Sequence, residues 1–145
     1  RIARIFNSYG PRLRFDGSYG RVISRFITQA LSGKPLTVYG DGTQTRAFCY
    51  IADTVTGLLL LLATKEANGH IVNIGNPQEI TILELAQTTK KLANSTSEVT
   101  FHPLPADDPK RRCPDISKAQ KLLGWKPKVK LETGLMRTMS WFKEN

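Results

Sequence analysis

Long apolar runs are missing from these 145 residues. No stretch reaches the ~18 residues that a membrane-spanning helix needs, and the longest, Leu58 to Ala63, reads as a buried helix segment. Cysteine and histidine are scarce, with two of each. Cys49, Cys113, His70 and His102 fall in no metal-ligand or redox spacing, which argues against a zinc site or a dithiol centre. Two stray thiols suit a reducing cytoplasm, the expected location. Also missing is a dinucleotide fingerprint, because the eleven glycines never fall as G-x-G-x-x-G or G-x-x-G-x-x-G. No tyrosine has a lysine four residues on, and no Ser-His-Asp or Cys-His set is suggested. The chain opens on "RIARIFN", a charged strand pattern without a leader, at Arg1 rather than Met. It is therefore expected to be a piece of a longer protein, and a membrane anchor in a preceding segment stays open.

Positive charge is abundant. Lysine and arginine number 21 against 12 acidic residues, a net +9. Such a balance attracts anions: nucleic acid, anionic lipid or phosphorylated small molecules. Arg1, Arg4, Arg12, Arg14, Arg21 and Arg25 crowd the first segment, and Lys110-Arg111-Arg112 forms a second cluster. The later lysines, 118 to 130, read as a solvated face. A basic nucleic-acid-binding module is one reading of this charge. Against it, no helix-turn-helix, RNA-recognition or zinc-finger pattern occurs, and the basic residues are scattered over several loops.

Periodicity alternates between strand and helix. "RIARIFN" reads as a strand and Gly10-Pro11 as a break. "RVISRFITQALSG" carries a helical apolar stripe stopped by Gly33. "LTVYG" and "AFCYI" read as strands around the turn "DGTQT", and Asp53 reads as the cap of the next helix. "IVNIG" is a buried-type strand. Thr81 and Glu84 spell a capping box, with Ile80 and Leu85 as a hydrophobic staple. "EVTFHPL" is a strand. Asp115 reads as a cap with Gly124 as the stop, and a last helix from about Glu132 sets Leu135, Met136, Met139 and Phe142 on one side. Asp107-Asp108 reads as turn and cap chemistry. The class is α/β. From the residues alone, this is an anion-binding α/β domain without a complete catalytic centre.

Arg46 stands out, a single permanent charge between a Gly-rich turn and an apolar strand. Taken alone it reads as a solvated loop arginine, and the rest of the chain decides whether it has a ligand.

Several segments in order, "RIARIFNSYGPR", "GRVISRFITQALSGKPLTVYGDGTQTRAFCYIADTVTGL", "VNIGNPQEITILELA" and "DDPKRRCPDISKAQKLLGWKPKVKLETGL", resemble the C-terminal half of the extended short-chain dehydrogenase/reductase family. Its members are nucleotide-sugar epimerases, dehydratases and decarboxylases. "GRVISRFI", "RAFCYI", "NIGNPQE" and "DDPKRRCPDI" most resemble the branch that decarboxylates UDP-glucuronate. The resemblance implies that residues 1–145 hold the last Rossmann strands and helices plus the small substrate-binding α/β subdomain. The Gly-rich NAD motif and the Tyr-x-x-x-Lys pair would precede Arg1. It implies NAD as cofactor, a UDP-sugar as substrate and a homodimer for the full-length protein. In that branch C4 is oxidised, CO2 leaves the β-keto acid, and the hydride returns to C4. A 4,6-dehydratase acting on a dTDP-sugar, a UDP-sugar 4-epimerase, and a non-catalytic nucleotide-sugar-binding domain remain alternatives.

The same resemblance assigns expected roles. Asn7 would contact the diphosphate and Ser8 the nicotinamide end of NAD, with Arg14 and Arg21 near cofactor and substrate. Val22 and the backbone of Thr37, Val38 and Tyr39 would hold uracil. Arg46 would grip the diphosphate, with a tentative catalytic role as proton donor. Arg111 or Arg112 would be the second diphosphate arginine, and Asn73 would reach the sugar or ribose. No metal is expected.

Overall fold

The computed structural model describes residues 1–13, 22–106 and 108–144. The expected contributions of Arg14 and Arg21 lie outside these residues, as does Asp107.

Strands β1 (Ile2–Ile5) and β2 (Ser8–Tyr9) are followed by helix α1 (Val22–Leu31) and β3 (Leu36–Tyr39). Next come β4 (Thr45–Ala47), β5 (Cys49–Tyr50), α2 (Ile51–Ala63) and β6 (Ile71–Ile74). The chain continues through β7 (Glu79–Thr81), α3 (Ile82–Leu92), β8 (Val99–His102), β9 (Arg111–Arg112), α4 (Ser117–Leu123) and α5 (Leu131–Glu144). The α/β class holds. Parallel pairs β1–β6, β2–β5 and β3–β8 accompany a three-stranded sheet in the order β7–β4–β9.

Two apolar clusters form the core. One packs α1, α3 and α5 around Phe26, Ile27, Leu36, Leu85 and Leu135. The other joins α2, β6 and α4 through Leu61, Val72, Ile74, Ala119 and Trp125. At the start of α3 the expected capping box is present: Thr81 Oγ1 accepts the Glu84 N–H at 3.1 Å, and Glu84 accepts the Thr81 N–H at 3.0 Å. Ile80 and Leu85 both belong to the first cluster, as a staple would require. Gly124 stops α4 at φ +60, the left-handed turn that glycine enters without a Cβ penalty.

Four expectations are corrected. Helix α2 begins at Ile51 with Tyr50 at its cap, so Asp53 lies inside the first turn. Its carboxylate instead accepts the backbone N–H groups of Lys128 and Val129, at 3.0 and 2.8 Å, while its carbonyl accepts the Trp125 indole N–H at 3.0 Å. Asp115 sits one residue before the α4 cap position and accepts the Ser117 N–H at 2.8 Å. The run Leu58 to Ala63 is not wholly buried: Leu61 is, but Leu59 and Leu62 are exposed, because only one side of α2 is covered. Met136 is likewise exposed, whereas Leu135 and Met139 are buried. No helix among the described residues is long and apolar enough to cross a membrane.

Candidate functional site

The β7–β4–β9 sheet gathers the basic residues. Strand β4 pairs with β9 in parallel, Thr45 opposite Arg111 and Arg46 opposite Arg112. Residues in register across parallel strands point to the same face, and neighbours along a strand point to opposite faces. Arg46 and Arg112 therefore leave one face, Thr45 and Arg111 the other.

On the second face, Arg111 is fully committed. Its Nε lies 3.0 Å from both oxygens of Glu79, and its Nη2 donates to Oε2 at 2.6 Å. Thr45 Oγ1 donates to the same carboxylate at 2.6 Å. These donors, Arg111 first, pull the Glu79 carboxyl from 4.5 down to about 2. The Cys113 thiol, beside Pro77 O at 3.4 Å, is pushed up chiefly by desolvation.

On the first face, Arg46 is buried although charged. Its Nη1 donates to the carbonyl of Thr45 at 2.8 Å, and its Nη2 is paired with the Asp108 carboxylate. Asp108 thus does more than close a turn, contrary to the sequence reading. Arg112 is exposed, and among the described residues it has no carboxylate partner.

Asn7 approaches the same strand from β1. It holds φ +34, a left-handed conformation that asparagine tolerates better than most residues. Its Nδ2 donates to the carbonyl of Ala47 at 3.0 Å, and its carbonyl accepts the Cys49 N–H at 3.2 Å. Among the described residues the side-chain oxygen of Asn7 has no hydrogen-bond partner. Next to it, the Ser8 hydroxyl shares a hydrogen bond of 3.0 Å with Thr54. Asn7 and Arg46 are thereby brought together, with Ala47 between them.

In the segment expected to hold uracil, backbone groups of Thr37 and Tyr39 already have side-chain partners. Val38 is fully buried and Val22 partly so, both in the first core cluster. Leu36 and Gly40 donate toward β8. On the opposite edge, Gln29 Oε1 accepts the Thr37 N–H at 3.1 Å and Arg25 Nη2 donates to the Thr37 carbonyl at 3.2 Å. Gln44 Nε2 donates to the Tyr39 carbonyl at 2.8 Å. A base edge would reach these groups only by displacing those side chains. The Arg25 guanidinium lies 4.7 Å from the centre of the Tyr39 ring, and desolvation lowers its pKa. Asn73 donates to the carbonyl of Asp115 at 2.9 Å, tying β6 to the segment before α4. Among the described residues no hydrogen bond or ion pair joins Asn73 to Arg46 or Arg112.

Helix N-termini can hold phosphates, but those of α2, α3, α4 and α5 are already supplied with negative charge, whereas α1 carries no acidic residue in its first turn. Asp53 lies in the first turn of α2, Glu84 in that of α3 and Glu132 in that of α5, and Asp115 precedes α4. Among the described residues no Gly-rich turn leads from a strand into a helix, so they do not form a dinucleotide cradle. Among them, no group of three or more His, Cys, Asp or Glu could hold a metal ion.

Sequence reasoning missed Asp108 and Glu79 as the partners of Arg46 and Arg111. Their carboxylates lie 62 and 32 residues from the arginines they meet, beyond any local pattern.

Residues 1–75 match the NAD dependent epimerase/dehydratase family, to which the chain belongs. It is 54% identical over 135 residues to UDP-glucuronic acid decarboxylase 3 of Arabidopsis thaliana, covering 93% of this chain and 38% of that protein. It is 53% identical over 142 residues to UDP-glucuronic acid decarboxylase 1 of Danio rerio, covering 98% of this chain and 33% of that protein. Among solved structures, UDP-glucuronic acid 4-epimerase from Bacillus cereus, in complex with UDP-glucuronic acid and NAD, superposes with a TM-score of 0.90 at 38% identity. That superposition covers 99% of this chain and 45% of the epimerase. The chain thus spans about a third of the length of the curated relatives it matches.

Proposed function

We propose that these residues form the nucleotide-sugar-gripping, C-terminal part of an NAD-dependent UDP-glucuronate decarboxylase, which converts UDP-glucuronate to UDP-xylose and CO2. The observation that carries this reading is the placing of Arg46 and Arg112 on one face of the β7–β4–β9 sheet, with Asn7 beside β4. A diphosphate bears its charge on oxygens that two guanidiniums can share, and charge-assisted hydrogen bonds hold it in register. The similarity to proteins named UDP-glucuronic acid decarboxylases supports the choice of substrate.

In this reading Arg46 binds and orients the diphosphate, and Arg112 adds a second positive charge from the solvent side. The free oxygen of Asn7 accepts from the ligand. Val22 and Tyr39 form the base-side wall. A proton-donor role for Arg46 is the weaker assignment, since a guanidinium is a very weak acid. In this reading NAD is held mainly by the N-terminal half of the full-length protein, and residues 1–145 alone are inactive.

The test is product analysis. The natural gene product that carries this chain, given UDP-glucuronate and NAD, is expected to release CO2 and UDP-xylose. The solved 4-epimerase neighbour favours a second reading, epimerisation at C4 of the same kind of substrate. Epimerisation releases no CO2, so the gas decides between them.

A further inference from the structure

We infer that Asp108 is a built-in competitor for the anion that Arg46 would bind. The inference rests on the proposed diphosphate role of Arg46.

The two side chains differ in access. Arg46 is 10% exposed and Asp108 31%, so the carboxylate reaches the buried cation from the solvent side. Thr45 O holds Nη1 of the guanidinium, and Asp108 takes Nη2. A phosphate arriving from solvent would need that same outward donor. Two anions cannot share it cheaply, because like charges a few ångströms apart in a partly buried site repel strongly.

Asp108 is also free to leave. It lies on the irregular stretch between β8 and β9, after the exposed residues Pro103, Leu104, Pro105 and Ala106. Its backbone N–H donates to Pro105 O at 3.3 Å, inside the same stretch. The carboxylate can therefore swing off Arg46 without breaking any strand pairing. Without it, a buried guanidinium would carry an unneutralised charge. Asp108 neutralises Arg46 until a ligand does so better. A diphosphate can, because Arg112 stands in register beside Arg46 and has no carboxylate partner among the described residues. A small single-charged anion reaches only one of the two arginines and loses the exchange.

The experiment is calorimetric titration of the natural gene product with UDP, with uridine as the uncharged control. Asp108→Asn and Asp108→Ala each remove the competing charge; because this leaves the Arg46 charge unanswered, circular dichroism and thermal unfolding first establish that each variant is folded. Each is expected to bind UDP about tenfold more tightly, the equivalent of one charge-assisted hydrogen bond no longer exchanged. Uridine should bind all variants alike. In an Arg46→Lys background the gain should shrink, and in Arg46→Ala it should vanish. If Arg46→Ala weakens UDP but both Asp108 variants leave it unchanged or weaker, Asp108 only orients Arg46 and the inference falls while the diphosphate reading stands. If Arg46→Ala leaves UDP binding as it was, the reading falls and takes the inference with it.

Discussion

Arg111 lies against Glu79 with Nε 3.0 Å from each carboxylate oxygen, a side-on grip reinforced by Nη2 at 2.6 Å. The pair joins β9 to β7 across β4. It leaves Arg111 with its charge already answered, while Arg112, one residue on, faces the other way. The sequence could not choose between these two arginines; strand register puts them on opposite faces of the sheet.

The first prediction follows from that grip. Glu79 is expected to titrate near 2, well below its ordinary 4.5. Its folded pKa is depressed, so the carboxylate's contribution is complete above the unfolded value and is lost as pH falls through the folded one. The affected window runs from about 4.5 down to about 2. Carbon-detected NMR of the Glu79 side chain checks this, and a midpoint near 4.5 would mean that the pair does not form in solution.

The second prediction separates the arginines. Arg112→Ala should weaken UDP binding by roughly tenfold, the scale of one charge-assisted hydrogen bond. Arg111→Ala should act chiefly by freeing Glu79 and loosening β9, with a smaller effect on UDP. Equal losses in the two variants would remove the argument from register.

Much of the fold was legible because it rests on local signals. The capping box of Thr81 and Glu84 marked the start of α3, and Gly33 and Gly124 marked the ends of α1 and α4. What stayed hidden depends on distant partners. Asp53 looked like a helix cap because aspartate before an apolar run usually is one. Its real partners, the N–H groups of Lys128 and Val129, lie 75 and 76 residues on. Strand β9 is two charged residues and exists only by pairing with β4. At the site, the special setting of Arg46 was readable, but its counter-ion was not.

The third prediction concerns Asp53. It anchors the segment that follows α4 to the start of α2 through two backbone N–H groups and the Trp125 indole. Asp53→Ala leaves the two N–H groups without their acceptor in a partly buried place, at a cost of about 1–3 kcal/mol. Asp53→Asn keeps an acceptor oxygen and should cost less. Urea unfolding of both variants tests the order, and equal stability of Asp53→Ala and the parent would refute it.

The fourth prediction concerns the approach of α5 to β2. A Cβ at Gly134 would stand 2.1 Å from the Tyr9 hydroxyl oxygen and 2.9 Å from the Tyr50 ring. Tyr9 is buried, and its hydroxyl donates to Leu131 O at 3.2 Å, so it has little room to move. Gly134→Ala should destabilise by about 1–3 kcal/mol, the usual cost of overpacking. Adding Tyr9→Phe removes the clashing oxygen and should recover part of the loss. A double variant no more stable than Gly134→Ala would place the strain elsewhere.

The last prediction concerns the uncovered side of α2. Ile51, Val55, Leu59 and Leu62 recur at helical spacing and all are exposed, Leu62 at 69%. Ile2, Ile5 and Ile71 are exposed on the β1–β6 pair, a parallel pair of a kind usually covered on both faces. Contiguous apolar surface of this sort drives association in water. The 145-residue chain on its own should therefore self-associate, and sedimentation velocity should show its mean mass rising with concentration. Leu59→Lys with Leu62→Lys puts two charges into the stripe while leaving buried Leu61 in place. That variant should shift toward monomer with its helical content unchanged by circular dichroism. If the parent chain sediments as a monomer across the concentration range, the exposed stripe is tolerated surface and does not drive association.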